Sequence, residues 1–158
     1  DIRQAAQGLS AIIDMEMGLH VEFCAAWGLD EAAMQALPEA EETMAYTRYV
    51  LEKGVAGDLL DLHVALAPCI VGYAEIGAAL AQAPAVSLAD NPYRAWIKMY
   101  AGDDYQEVAR SEVAELDRLM DRRGGEGRRA ALATTFRQAT RLEAAFWQMG
   151  LAFADRGD

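Results

Sequence analysis

Basic residues are scarce in this chain. Lys and Arg number 14 against 25 Asp and Glu, giving a formal net charge of −11 and a pI near 4.6. A surface of that sign repels phosphate backbones, so nucleic acid is not an expected partner. Strand formers are also few: Val, Ile and Thr together number 19, against 32 Ala. That ratio favours helix over sheet throughout. Two cysteines cannot build a disulfide framework, which points to a reducing compartment and a cytoplasmic setting. No uninterrupted apolar run approaches the ~18 residues that span a bilayer, so no membrane segment is expected. No Gly-rich phosphate loop follows a strand. What remains is a chain of 158 residues, 53% apolar, long enough for one domain with a real core.

The chain opens on DIRQAAQGL, without a methionine and without the basic start and apolar centre of a signal peptide. It reads as if it starts inside a helix, so further sequence is expected upstream of Asp1. Residues 2 to about 27 place Ile2, Leu9, Ile12, Leu19, Phe23 and Trp27 on one apolar stripe, stopped at Gly28. Asp30 suits the N-cap of a short helix ended by Pro38. A helix from about Glu39 to Lys53 follows, acidic at its start and basic at its end. Asp58 then caps a long apolar helix to about Gln82. After a loop to Asn91, Pro92 suits the first position of a helix through Tyr100. Two more helices are predicted, Asp104 to about Arg123 and about Arg128 to Asp155, joined by a flexible stretch at Gly124, Gly125 and Gly127. The charged run Asp117 to Arg129 reads as a solvated corner. The expected architecture is all-α, a single helical-bundle domain over residues 1–158.

Four groups of residues could carry chemistry. In APCIVGYAEIG, Pro68 should kink its helix, and Cys69 and Tyr73, four apart, share a face. A thiol nucleophile beside a phenol is one reading; an inert buried cysteine is the other. Gly72 and Gly77 leave room for a neighbouring helix or a ligand. In RLEAAFWQMG, Glu143 lies among apolar neighbours. It is either a carboxyl with a raised pKa, able to shuttle protons, or a solvent-facing helix residue. Tyr46, Tyr49, Tyr93 and Tyr100 are either core rings or the walls of an aromatic-binding cavity. Glu16 and His20, one turn apart, could belong to a metal site, although the chain has only one other histidine, His63.

Together these pieces are identifiable. MEMGLHVEF, AYTRYV, ALAPCIVGYAEIG, YRAWIKMYAG and LEAAFWQMG, in that order, resemble the TenA family, also called thiaminase II or aminopyrimidine aminohydrolase. The likeness runs from about Met15 to Met149, and PC-x-x-x-Y-x-E-x-G with W-I-x-x-Y and E-x-x-F-W is its specific part. The resemblance implies a heme-oxygenase-like helical bundle, commonly assembled as a tetramer, with a dimer as the smaller alternative. It implies hydrolysis of aminomethyl-aminopyrimidine to hydroxymethylpyrimidine in thiamin salvage, with thiamin itself cleaved by some members. It assigns Cys69 as nucleophile, which marks the cysteine-bearing branch, and Glu143 as acid–base group. Tyr46 packs on the pyrimidine, Tyr73 and Tyr100 hydrogen-bond in the pocket, and Phe146 forms an aromatic wall. The family's first helices, which bring an aspartate for the amino edge of the pyrimidine, would lie upstream of Asp1.

The chemistry of these residue types agrees with that assignment. A thiolate can add to an electron-poor ring and leave again, and a carboxyl with a raised pKa can protonate a departing amine. Neither step needs a metal or an organic cofactor, and the expected partner is a small pyrimidine. Two alternatives stay open: a non-catalytic protein that binds a pyrimidine or a partner, and a metal-dependent oxidase centred on Glu16 and His20.

Overall fold

The structure, a computed structural model, describes Ser10, residues 17–83 and residues 87–156. The chain divides into two compact units, Asp1–Glu39 and Ala40–Asp158. Among the described residues there is helix and irregular chain but no strand, as the alanine excess implies.

In the first unit, α1 covers Met17–Ala26 and α2 covers Glu31–Ala36. Gly28 takes φ +85, the left-handed conformation that stops a helix readily only at glycine. The Asp30 side chain then accepts the Ala33 amide at 2.8 Å and starts α2, the expected cap. The rings of Phe23 and Trp27 stack 6.1 Å apart. Ile2, Leu9 and Ile12 of the expected stripe, and Glu16 of the metal candidate, lie outside the described residues.

The second unit holds α3 (Glu41–Ala56), α4 (Leu59–Gln82), α5 (Arg94–Ala101), α6 (Asp103–Arg123) and α7 (Glu126–Arg156). Helix α4 is central and packs against α3, α5, α6 and α7. Its start is a capping box. Asp58 accepts the amides of Leu60 and Asp61, while the Asp61 carboxylate accepts the Asp58 amide at 2.9 Å. A Cβ at Gly57 would run into the Asp61 carboxylate, so the cap itself requires glycine there. By length and composition α4 is apolar enough to cross a bilayer, which the lack of an uninterrupted apolar run conceals. Asp61, His63 and Glu75 interrupt the run without lowering its mean hydropathy below that of a spanning helix. The helix passes through Pro68, which is buried, without ending there.

Several boundaries shift for local reasons. Helix α3 starts at Glu41, after Ala40, and continues to Ala56. Helix α5 starts at Arg94, not at Pro92. Asn91 folds a turn there: its side chain accepts the Tyr93 amide at 2.9 Å and its carbonyl accepts the Arg94 amide at 3.0 Å. The glycine joint is tighter than expected. Only Gly124 and Gly125 separate α6 from α7, Gly125 taking φ +130, while Gly127 is already helical. The corner after α6 is not merely solvated either. Arg128 reaches back to the α4 cap, donating to Asp58 at 2.9 Å and to Asp61 at 2.6 Å. Arg128 holds the Asp58 carboxyl down at about 2.

The apolar centre is Leu60, Leu119 and Leu132, from α4, α6 and α7, with Val64, Leu116 and Met120 packed on it. Beside it, His63 Nδ1 meets Glu112 Oε1 at 2.8 Å, linking α4 to α6. That partner raises the imidazole above its ordinary value.

Candidate active site

Four helices of the second unit bring the sequence-predicted residues together. Helix α4 carries Cys69 and Tyr73, four apart, and α7 carries Glu143 alongside them. Tyr73 donates its hydroxyl to Glu143 Oε1 at 2.8 Å. Helix α3 adds Tyr46, which is 9% exposed and has both Cys69 and Glu143 as electrostatic neighbours. Its hydroxyl also reaches the Ala65 carbonyl at 3.4 Å. Helix α5 adds Tyr100, 1% exposed, with its ring 5.2 Å from that of Tyr73.

The electrostatics follow from burial. Glu143 is 8% exposed, and desolvation pushes its carboxyl above the ordinary value. The Tyr73 and Tyr46 hydroxyls and the Trp147 side chain pull the other way, because they favour the carboxylate. Burial raises both phenols far above their usual range, and the nearby carboxylate adds to that. Tyr46 and Tyr73 therefore stay neutral donors at any physiological pH. Cys69 is half-buried, and its thiol donates to the Leu66 carbonyl of its own helix at 3.1 Å. The result is a thiol, two neutral phenols and a carboxyl whose proton affinity burial raises.

Two rings that stand in the sequence motifs without an assigned role, and one outside them, complete the arrangement. Trp96 lies 4.4 Å from Tyr100 and 6.0 Å from Tyr73, centre to centre. Trp147 lies 5.6 Å from Tyr73 and meets Trp96 edge-on at 5.7 Å. Spacing could have found both, since Trp96 precedes Tyr100 by four residues and Trp147 follows Glu143 by four. Phe146 is half-buried on α7, and it is its neighbour Trp147 that meets Tyr73. Tyr105 packs edge-on against Tyr100 at 4.5 Å, and no pattern in the sequence marks it. Tyr49 and Tyr93 lie elsewhere. The Tyr49 hydroxyl points to the Thr135 carbonyl at 3.5 Å, and Tyr93 is 59% exposed.

Tyr73, Glu143 and Trp147 also wall an open groove of about 490 Å³ between α4, α6 and α7. Its remaining lining is mostly apolar, with Val71, Ile76, Val113 and Phe136 prominent. Gly72 faces it with open space, since nothing lies within 4 Å of where a Cβ would sit. The space at Gly77 is filled. A Cβ at Gly77 would sit 2.7 Å from Tyr100 Cβ, so that glycine lets α5 approach α4. Among the described residues no group of three or more His, Cys, Asp and Glu could hold a metal. The Glu16–His20 candidate falls partly outside them.

Comparison with known proteins places these observations. The profile of the TENA/THI-4/PQQC family matches residues 1–152. An uncharacterized protein of Haemophilus influenzae is 37% identical over 143 residues, which cover 90% of this chain and 66% of that relative. An aminopyrimidine aminohydrolase of Halalkalibacterium halodurans is 38% identical over 143 residues, covering 89% of this chain and 62% of that enzyme. Among solved structures, a TenA family transcription regulator of Silicibacter sp. TM1040 superposes with a TM-score of 0.84 at 45% identity. That match covers 93% of this chain and 66% of the other. The chain thus spans just under two thirds of the length of these relatives.

Proposed function

The chain belongs to the TENA/THI-4/PQQC family, and on that premise we propose that it carries the catalytic part of an aminopyrimidine hydrolase acting in thiamin salvage. The observation that carries this reading is the convergence of Cys69, Tyr46, Tyr73 and Glu143, with the Tyr73–Glu143 hydrogen bond at 2.8 Å as its anchor. The name of the Halalkalibacterium relative supports the same chemistry.

In this reading Cys69 gives its thiol proton to the Glu143 carboxylate, and the thiolate adds to the pyrimidine ring of an aminomethyl substrate. Glu143, whose proton affinity burial raises, passes that proton to the departing amine, and the C–N bond breaks. Water then adds at the methylene carbon, Glu143 takes a proton from it, and the thiolate leaves the ring and recovers that proton. The balance is aminomethylpyrimidine plus water giving hydroxymethylpyrimidine plus ammonia. Tyr46 and Tyr73 hold the carboxyl between them. Trp96 and Trp147, backed by the buried ring of Tyr100, supply the aromatic surface on which a flat ring stacks. Phe146 has the wall role by family resemblance. The reaction needs no metal or organic cofactor. A homo-oligomer, tetramer or dimer, and a cytoplasmic setting belong to the same proposal, as does thiamin as a second substrate.

A second reading, a protein that binds a pyrimidine without turning it over, draws on the regulator name of the Silicibacter protein. Direct DNA contact fits poorly with a net charge of −11. One experiment separates the two. Ammonia release from aminomethyl-aminopyrimidine is followed while Cys69 alkylation by iodoacetamide is measured with and without hydroxymethylpyrimidine. Release together with protection is the expected result. Protection without release selects the binding protein, and neither one sinks both readings.

A further inference from the structure

The first turn of α6 contacts the backbone beneath the aromatic cluster. Gln106 uses its side-chain amide twice. It donates to the Tyr100 carbonyl at 2.9 Å and to the Ala74 carbonyl at 3.0 Å. The Tyr100 carbonyl belongs to the last turn of α5, where helix carbonyls lack an amide partner within the helix. The Ala74 carbonyl belongs to α4, directly after Tyr73. One amide thus ties the backbone under Tyr100 to the backbone beside Tyr73. The preceding residue, Tyr105, packs its ring on Tyr100 and directs its hydroxyl at the Cys69 and Ile70 carbonyls, at 3.5 and 3.4 Å. Gly77 permits the close approach of α4 and α5 that this bridge spans.

We propose that Gln106 is a positioning residue of the site. Its amide fixes the separation of α4 and α5, and so sets the width of the aromatic surface that Tyr73 and Trp96 form over the buried ring of Tyr100. No atom of Gln106 need touch the substrate. Packing at Gly77 alone leaves α5 free to slide along α4, because van der Waals contact has little directionality, whereas two hydrogen bonds to carbonyls on different helices define both distance and register. The substrate affected is the pyrimidine, and in that respect the inference rests on the function proposed above.

The test uses the intact natural protein and the variant Gln106→Met, which keeps length and removes both donors. Far-UV circular dichroism is expected to stay unchanged and Tm to fall by no more than about 5 °C. The near-UV signal of the packed tyrosine and tryptophan rings is expected to weaken. KM for aminomethyl-aminopyrimidine should rise about tenfold while kcat stays within about threefold, the signature of a displaced binding surface with its reacting groups intact. Iodoacetamide should alkylate Cys69 at the wild-type rate without ligand, and hydroxymethylpyrimidine should protect it less. Should Gln106→Met fail to fold, Gln106→Asn, which retains an amide but reaches only one carbonyl, is expected to show the same changes in part. A near-UV spectrum and a KM both equal to wild type, in whichever variant folds, would overturn the proposal. If the wild type neither releases ammonia nor binds hydroxymethylpyrimidine, the substrate assignment falls, and the near-UV comparison alone decides the positioning role.

Discussion

Tyr73 and Glu143, 70 residues apart in sequence, share a hydrogen bond of 2.8 Å in which a half-buried phenol donates to a buried carboxyl oxygen. The bond joins the central helix to the last one. It also opposes the desolvation that raises the proton affinity of Glu143. Burial and hydrogen bonding thus set the proton affinity of the acid between them.

Removing the donor tips that balance. Tyr73→Phe keeps the ring and its contacts with Trp96, Tyr100 and Trp147. It deletes a bond that favours the ionised carboxylate, so the pKa of Glu143 rises further. A hydrogen bond to a charged group contributes about 1.5–3 kcal/mol, enough for the change to be read in a pH profile. The alkaline limb of kcat, measured by ammonia release, should move to higher pH. An unmoved limb would mean that Glu143 is not the group that titrates in turnover.

Cys69→Ser and Glu143→Gln should each lower kcat/KM at least about 10²-fold, the usual loss for a nucleophile or a placed acid. Both substitutions nearly conserve volume, so Tm should change little. Near-wild-type turnover by either variant contradicts the assignment of that residue.

Gly77→Ala probes the approach of α5 to α4. The added Cβ would lie 2.7 Å from Tyr100 Cβ and 2.8 Å from the Tyr100 carbonyl carbon, and backbone cannot rotate away as a side chain can. Overpacking of this kind costs about 1–3 kcal/mol. Calorimetry should show a lowered Tm, by about 2–4 °C for each kcal/mol. A Tm equal to wild type would show that the two helices are not in close contact there.

The pair His63–Glu112 gives stability a pH dependence. The carboxylate raises the imidazole above 6.5, so folding favours the protonated ring. The contribution is fully present below 6.5 and disappears as pH rises through the raised value. Tm should therefore fall as pH rises above about 6.5, beyond the general trend, and Glu112→Gln should flatten that slope. A slope that survives Glu112→Gln would assign it to other groups.

Much of this molecule is legible one turn at a time. Asp30 and Asp58 announce helix starts because a carboxylate accepts the first free amides within three residues of itself, which is a local event. The alanine excess settles an all-α chain, and the order of PC-x-x-x-Y, W-I-x-x-Y and E-x-x-F-W carries the family. The pairing of Cys69 with Tyr73 on one face follows from a spacing of four. Helix α5 starts two residues beyond the expected Pro92 because the Asn91 side chain and carbonyl close a turn over Pro92 and Tyr93 before the helix begins at Arg94.

What spacing along the chain cannot reach is convergence between helices. Whether Tyr46, Tyr49 or Tyr93 joins Glu143 depends on the rotation of α3 and on the path into α5, and helical periodicity is equally satisfied by each. Packing selects Tyr46 and leaves Tyr93 in solvent. The same holds for Arg128, which reads as one charge in a surface run until the short turn at Gly124 and Gly125 sets it beside Asp58 and Asp61. Gln106 carries no signal in the sequence, because an amide becomes a bridge only when two carbonyls from different helices arrive within 3.0 Å of it. The helices, their caps and the inventory of thiol, phenols and carboxyl follow from the order of residues along the chain. Which of those groups meet is settled by packing, because the relative rotation and separation of helices are set by side-chain volumes and hydrogen bonds between segments distant in the chain.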